Sequence, residues 1–155
     1  MKEEDYKRAI EEITFRQNFL DNLDLGWTRS YVKHIKYESE LIDKKDRIIM
    51  RTIQNVVGKK SEILVYPKAF SDFHPKFADF YSTLVYHEGY HARESFEFGA
   101  EDGILGDLNL ELRARKFQLE HVNGENSQAF IDNLRREIRI YQDVTERIKE
   151  VCRMY

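Results

Sequence analysis

The segment His87-Glu88-Gly89-Tyr90-His91 brings two imidazoles and one carboxylate together in a short stretch of chain. Residues four apart on an α-helix lie on the same face about one turn apart, so His87 and His91 can bind one metal ion together. Zinc suits two neutral imidazoles, a third protein ligand and one open position for water. Glu88 directly follows the first histidine, so its carboxylate can lie beside that water and accept its proton. The spacing therefore predicts a zinc site in which Glu88 acts as general base.

The apolar pattern around the two histidines directs them into the protein. Phe77, Phe80 and Leu84 precede them at three- and four-residue steps, which is typical of the inward face of an amphipathic helix. Pro75 stands where a helix can begin, because the first helical turn does not need an amide at that position. Two inward imidazoles without a metal would each need a hydrogen-bond partner in the core. This context favours a metal site over two structural histidines.

A third metal ligand is expected from a second helix that faces the histidines. Glu111 is the best candidate, since it shares one face of the next predicted helix with Ile104 and Leu108. Ala114, three residues further, would let the two helices approach closely. The alternative for Glu111 is a solvated helix charge. The competing acidic or imidazole side chains are Glu94, Glu97, Glu101, Asp107 and His121. Glu94 and Glu97 lie on the histidine helix itself, which carries them away from the ion. His121 as a ligand would indicate a different class of site.

A helix with this histidine motif, with a small sheet before it and a glutamate helix some twenty residues after it, resembles the gluzincin zinc metallopeptidases. The small size of the chain resembles their compact variants, the minigluzincins. The resemblance covers about residues 47–122. It implies that zinc is held by His87, His91 and Glu111, and that Glu88 acts as general base and then as general acid. It also implies a peptide or protein substrate.

Two further expectations come from the same resemblance. In gluzincins an extended substrate pairs with an edge strand beside the cleft, and residues 62–66 are by position the expected strand in this chain. The family usually has an aliphatic residue after the glutamate of the motif, whereas this chain has Gly89. A glycine inside a helix costs about 1 kcal/mol relative to alanine, so we expect Gly89 to permit a close packing contact.

An oxyanion stabiliser is expected near the metal, because attack of water on a carbonyl produces a negatively charged tetrahedral oxygen. The side chains that could donate a hydrogen bond to it are Tyr90, His121 and Tyr141. Each of the three could instead be an ordinary core or surface residue, and the sequence does not rank them.

The remaining pattern predicts one compact α+β domain, mainly α, over residues 1–155. Apolar spacing predicts four helices and β-favouring residues predict two strands, the helices near 6–23, 75–98, 104–122 and 127–153 and the strands near 47–53 and 62–66. The strands would form a small antiparallel sheet packed against the helices, which include the histidine helix and the glutamate helix. We expect the catalytic core at about 47–122, with flanking helices at 1–23 and 127–153.

Composition narrows the class of protein. The 155 residues include 41% hydrophobic and 34% charged residues, enough apolar material for one folded core. A formal net charge of −3 argues against a nucleic-acid partner. No apolar run reaches the roughly 18–20 residues that span a bilayer, so we expect no membrane partner. Cys152 is the only cysteine, which excludes an intrachain disulfide and fits a cytoplasmic location.

Two other functions stay open at this stage. The chain could be a catalytically idle or latent member of the peptidase fold that binds partners, with its C-terminal helix or Cys152 over the cleft. Glu88-Gly-Tyr-His91 also matches the E-x-x-H motif of di-iron carboxylate bundles, which need a second such motif and two further inward glutamates. The nearest equivalent, Gln118 to His121, lacks the glutamate.

Overall fold

The computed structural model describes residues 2–40, 47–54, 58, 60–98 and 103–154, with residues 97 and 98 described by their backbone only. The helices are α1 Glu3–Asp21, α2 Phe77–Tyr81, α3 Gly89–Phe98, α4 Gly103–Glu120 and α5 Gln128–Arg153, and the strands are β1 Val32–Tyr37, β2 Met50–Ile53 and β3 Ser61–Val65. A π-helical segment, Ser82–Glu88, joins α2 to α3, so that residues 77–98 form one helical rod, the histidine helix. These elements confirm the predicted α+β, mainly α, class. None of the described helices is long and apolar enough to cross a bilayer.

The sheet confirms the predicted antiparallel pair and adds a parallel strand. β2 pairs with β3 in antiparallel fashion, with Thr52 opposite Ile63, and β1 pairs with β3 in parallel, with Ile35 opposite Ile63. The strand order is β1-β3-β2, so the sheet is mixed. β1 and β2 pair with the two sides of β3, so the backbone groups of β3 are not free to pair with a substrate. The prediction that residues 62–66 form the edge for a substrate is therefore wrong, and β2 is the edge strand next to the histidine helix.

The core lies between the sheet and the histidine helix. Val65 and Leu84 have no exposed surface, and Phe80 is 4% exposed, which confirms most of the predicted inward stripe. Phe77 is 58% exposed, so its prediction as an inward residue is wrong. It is the first residue of α2, where its ring packs edge-on against Phe19 of α1.

The N-terminal helix is only partly covered by the rest of the protein. Leu20 is buried near the C-terminal end of α1, whereas Tyr6 near its start is 61% exposed. α1 contacts β1, where the Gln17 side chain donates to the Ile35 carbonyl and accepts from the Tyr37 amide. The apolar spacing is the same in the covered and uncovered halves of α1, so the spacing alone does not tell them apart.

The start of α5 is fixed against the histidine helix by a buried carboxylate. Asp79 has no exposed surface, and it accepts hydrogen bonds from Asn126 Nδ2, the Ser127 amide and the Ser127 hydroxyl. Ser127 Oγ in turn accepts from the Phe130 amide and caps α5. These bonds hold the first turns of α5 against the start of the histidine helix.

Gly89 allows the histidine helix to approach the short 3-10 helix Gly26–Ser30. A Cβ atom added at Gly89 would lie 2.4 Å from Thr28 Cγ2 and 3.4 Å from Trp27 Cη2. Thr28 is 2% exposed, and its hydroxyl donates to the Leu25 carbonyl at 2.6 Å, so its methyl cannot turn away without breaking that bond. The expected close packing contact at the glycine is therefore present.

Gly89→Ala should destabilise the fold by about 1–3 kcal/mol, because overpacking at the Thr28 methyl outweighs the gain in helix propensity. Thr28→Ser removes that methyl and keeps the hydroxyl, so the double variant should recover most of the loss. Urea unfolding of the four proteins in the presence of a chelator measures the coupling. A Gly89→Ala variant as stable as wild type would contradict the packing argument.

His74 makes stability depend on pH. Its ring packs against Phe73, Phe80 and Phe130, and burial lowers its pKa to about 4 although the Asp79 charge opposes the shift. Between pH 4 and 6.5 the unfolded chain then binds more protons at His74 than the folded chain, so stability falls as the pH drops through this window.

His74→Phe should remove this part of the pH dependence. Between pH 7.5 and pH 5 the wild-type protein should lose about 1–2 kcal/mol more unfolding free energy than the variant. Urea unfolding at the two pH values measures the difference, with His34→Gln on the exposed side of β1 as the control. Equal pH dependence in wild type and His74→Phe would contradict the assignment to His74.

Candidate metal centre

His87, His91 and Glu111 converge between the histidine helix and α4. The two Nε2 atoms lie 3.3 Å apart, His91 Nε2 lies 3.0 Å from Glu111 Oε1, and His87 Nε2 lies 3.5 Å from Glu111 Oε2. Within the part of the chain that the structure describes, this is the only group of three or more such side chains that could hold a metal ion. Ala114 is fully buried on α4, which packs on the π-helical segment. The structure thus brings the three expected ligands together.

The spacing of these donors fits a tetrahedral metal site. Bonds from zinc to imidazole nitrogen or carboxylate oxygen are about 2.0–2.1 Å long, so neighbouring ligand atoms of a tetrahedron lie about 3.3 Å apart. The two imidazole nitrogens lie at that distance, 3.3 Å apart. Each lies near one oxygen of Glu111, His91 Nε2 at 3.0 Å from Oε1 and His87 Nε2 at 3.5 Å from Oε2. Three protein ligands leave the fourth position for water. The three side chains could therefore hold a divalent ion where they stand.

His87 is oriented by a relay of hydrogen bonds through α4. Its Nδ1 lies 3.1 Å from Gln118 Oε1, and Gln118 Nε2 donates to Thr83 Oγ1 at 3.4 Å. The Thr83 hydroxyl donates onward to the Asp79 carbonyl at 3.1 Å. With a proton on Nδ1, which the amide oxygen would accept, the Nε2 lone pair is available for a metal.

Gln118 was not predicted from the sequence as part of the site. It is 4% exposed and lies seven residues, or two helical turns, after Glu111 on the same face of α4. That spacing could have placed Gln118 beside the histidines, where a buried hydrogen-bond partner fixes the orientation of a metal-binding ring.

The charges of the cluster keep the carboxylate ionised. Burial raises the pKa of the Glu111 carboxyl, but the hydrogen bonds and charges of His87 and His91 outweigh burial and hold that pKa well below its usual range. Burial lowers the pKa of His91, but its hydrogen bond to Glu111 and the charges of Glu88 and Glu111 outweigh burial and raise that pKa. Glu111 is therefore a carboxylate at neutral pH, which is the form that binds metal ions.

Glu88 lies beside the cluster and is held by the sheet. Its side chain is buried, and the Thr52 hydroxyl of β2 donates to Glu88 Oε2 at 2.5 Å. This bond fixes one oxygen, and a carboxylate has a second oxygen with which to accept a proton from water. Thr52 was not predicted from the sequence either, since it lies far from the motif along the chain and no residue spacing indicated it.

Two cavities flank the cluster and together form a cleft along β2. The first cavity, of about 350 Å³, and the second, of about 280 Å³, are both lined by Met50, Glu88 and Glu111. Ile48 adds an apolar wall to the first cavity, and Thr52 lines the second. The first turns of α5 close the far side of the first cavity with Phe130, Asn133, Leu134 and Glu137. Glu88, Glu111 and the first residue of an edge strand therefore border both cavities.

The competing ligands lie elsewhere or outside the described residues. Glu94 pairs with Arg113 at 3.9 Å, and Asp107 lines the second cavity without joining the cluster. Glu101 and the side chain of Glu97 lie outside the described part of the chain.

The three candidate oxyanion stabilisers are not among the residues that line the two cavities. Tyr90 contacts Glu94 and Arg113, and His121 stacks on Tyr86 beside a separate cavity. Tyr141 lies under the guanidinium of Arg115, with 4.2 Å between the guanidinium carbon and the ring centre. Arg115 lines the first cavity and was missed from the sequence, although it stands one turn after Glu111 on α4.

Comparisons with known proteins find no relative of this chain. No family model matches the chain, and no match is found among curated proteins or solved structures.

Proposed function

We propose that this protein is a zinc-dependent peptidase that cleaves peptide bonds with a water molecule activated at the cluster. The observation that carries the proposal is the convergence of His87, His91 and Glu111 on one point, with Glu88 on the same cleft. Two imidazoles and one carboxylate with an open fourth position are the ligand set of hydrolytic zinc sites. Zinc bound there would lower the pKa of a water ligand to about 7 and polarise a substrate carbonyl.

Glu88 is the proton acceptor in this proposal. Thr52 holds its Oε2, so its other oxygen can take a proton from the attacking water and later give it to the leaving amine. Burial keeps bulk water from competing for that carboxylate, whose exposed fraction is 7%. One carboxylate thus serves as general base and then as general acid.

The substrate in this proposal is an extended peptide that pairs with β2. An edge strand offers unpaired backbone groups to a further strand. β2 lines the second cavity, and its first residue, Met50, with residues 47–49 before it, lines the first cavity. Such pairing would carry a peptide bond past Glu88, with side chains entering the cavities on either side. We propose a peptide or protein as the substrate class on this ground.

A latent or catalytically idle protein is the alternative. α5 does reach the cleft, but its residues form one wall of a cavity of about 350 Å³ rather than filling it. Cys152 is exposed near the far end of α5 and lines none of the cavities beside the cluster. A di-iron site has less support, because the described residues contain one cluster of three possible ligands. Gln118, which stands where a second motif would need a glutamate, contacts the His87 ring instead.

The proposal is tested on the wild-type chain by metal analysis and by hydrolysis of a fluorogenic peptide library. We expect about one zinc per chain, hydrolysis that a chelator abolishes, and recovery on addition of zinc. Zinc binding without hydrolysis of any peptide would favour the idle alternative. Iron near two equivalents would favour the di-iron alternative.

A further inference from the structure

Arg115 links the cluster to α5. Its Nη1 donates to Glu111 Oε2, and its Nε donates to Glu137 Oε2 at 3.1 Å. The Tyr141 ring lies against the guanidinium at 4.2 Å. The Arg115 side chain is 15% exposed. A guanidinium with two carboxylate partners and an aromatic ring against its face is held in one orientation.

The two oxygens of Glu111 have different partners. Oε2 accepts a charge-assisted hydrogen bond from Arg115 and lies 3.5 Å from His87 Nε2, whereas Oε1 lies closer to its imidazole partner, 3.0 Å from His91 Nε2. A carboxylate without such a partner can bind a metal through both oxygens, which would occupy the position needed for water. The hydrogen bond from the guanidinium competes with the metal for Oε2. These contacts favour ligation through Oε1 alone.

We propose that Arg115 is a positioning residue that holds Oε2 of Glu111, so that Glu111 would bind an ion through Oε1 only and the fourth position would stay open. The inference rests on the proposed function, for which an open position is required. Tyr141, which the sequence suggested as an oxyanion stabiliser, supports the guanidinium from one face instead.

The same contacts make α5 part of the metal site. Glu137 and Tyr141 both belong to α5, and Asp79 fixes the start of that helix against the histidine helix. Loss of α5 from this place would release Arg115 and with it Oε2 of Glu111. Metal affinity and the docking of α5 are therefore coupled in this proposal.

Arg115→Met tests the proposal, since it removes both hydrogen bonds and the charge while it keeps an unbranched side chain. Zinc affinity is measured by competition with a chelator, and the visible absorption of the cobalt-substituted protein reports the coordination number. We expect zinc affinity to fall about 10–100-fold, as for other residues that orient metal ligands, and the cobalt bands to weaken as coordination rises above four. Arg115→Lys keeps the charge but not the planar fork, so its affinity should fall part of the way.

Arg16→Met is the matched control. Arg16 pairs with Glu12 one turn earlier on α1, and its guanidinium lies over the Tyr37 and Phe70 rings at 5.3 and 5.0 Å. It makes the same kinds of contact as Arg115 but lines neither cavity beside the cluster. Its substitution should cost stability in the presence of chelator and leave zinc affinity and the cobalt spectrum unchanged.

The proposal is overturned if Arg115→Met binds zinc within about threefold of wild type with an unchanged cobalt spectrum. Tighter binding would overturn it as well, because Arg115 would then act only as a nearby positive charge. Should Arg115→Met fail to fold, Arg115→Lys decides the matter by the same two measurements. Failure of the peptidase proposal looks different, since wild-type protein would then bind zinc and hydrolyse nothing.

Discussion

Glu88→Gln is expected to lower peptide hydrolysis by about 100- to 10,000-fold, the usual range for loss of a general base, while zinc stays bound. The amide has the size of the carboxylate, and its oxygen can still accept from Thr52, so the cleft should keep its shape. It cannot accept a proton from the attacking water. The effect should therefore appear in kcat and leave metal content at about one zinc per chain.

The measurement compares kcat and zinc content for wild type, Glu88→Gln and Glu120→Gln, the last on the exposed end of α4. The control should match wild type in both. Hydrolysis by Glu88→Gln at the wild-type rate would show that Glu88 takes no part in the reaction, even if zinc is bound. Loss of zinc from Glu88→Gln would instead show that Glu88 takes part in holding the metal.

His91→Ala is expected to reduce zinc affinity by more than about 100-fold, since loss of a direct ligand costs more than loss of a residue that orients one. It removes one of three protein ligands and leaves Glu111 with one imidazole partner at 3.5 Å. Purified protein should therefore retain little zinc after dialysis. Hydrolysis should fall in parallel with metal content.

Chelator competition measures the affinity, and His34→Ala, on the exposed side of β1, controls for loss of a histidine outside the cluster. His91 is buried, so urea unfolding in the presence of chelator should accompany the binding data. His91→Gln, which keeps a polar side chain, provides a second variant if alanine weakens the fold. Wild-type zinc affinity in both variants would show that the ion binds elsewhere.

The local elements of this site follow from the sequence. The i, i+4 spacing sets His87 and His91 on one helical face, and this survives although the seven residues Ser82–Glu88 form π-helical turns. Glu111 stands on the predicted helix and faces the histidines, on the side of α4 that buries Ala114. Ile104, predicted on the same inward face, is 72% exposed near the start of the helix, so that part of the prediction is wrong. Such features depend on contacts within one or two helical turns, and a sequence pattern records those contacts directly.

Other features of the fold depend on how separate elements meet. The central position of β3, and with it the choice of β2 as the edge beside the cleft, follows from a parallel pairing with β1 that no local pattern marks. The exposed first half of α1 has the same apolar spacing as its covered half, and what distinguishes the covered half is its contact with β1 and with the start of the histidine helix. Pairing and coverage depend on packing between residues that are distant along the chain.

By itself the sequence determined the histidine pair, the adjacent carboxylate, a facing glutamate helix and the mainly helical class. The tertiary structure decided which groups support them: Gln118 on His87, Thr52 on Glu88 and Arg115 on Glu111. It also places Tyr90, His121 and Tyr141 outside the walls of the two cavities. The physical reason is range, because helix periodicity fixes side-chain direction within an element, whereas hydrogen bonds between elements depend on distances that the assembled fold alone sets.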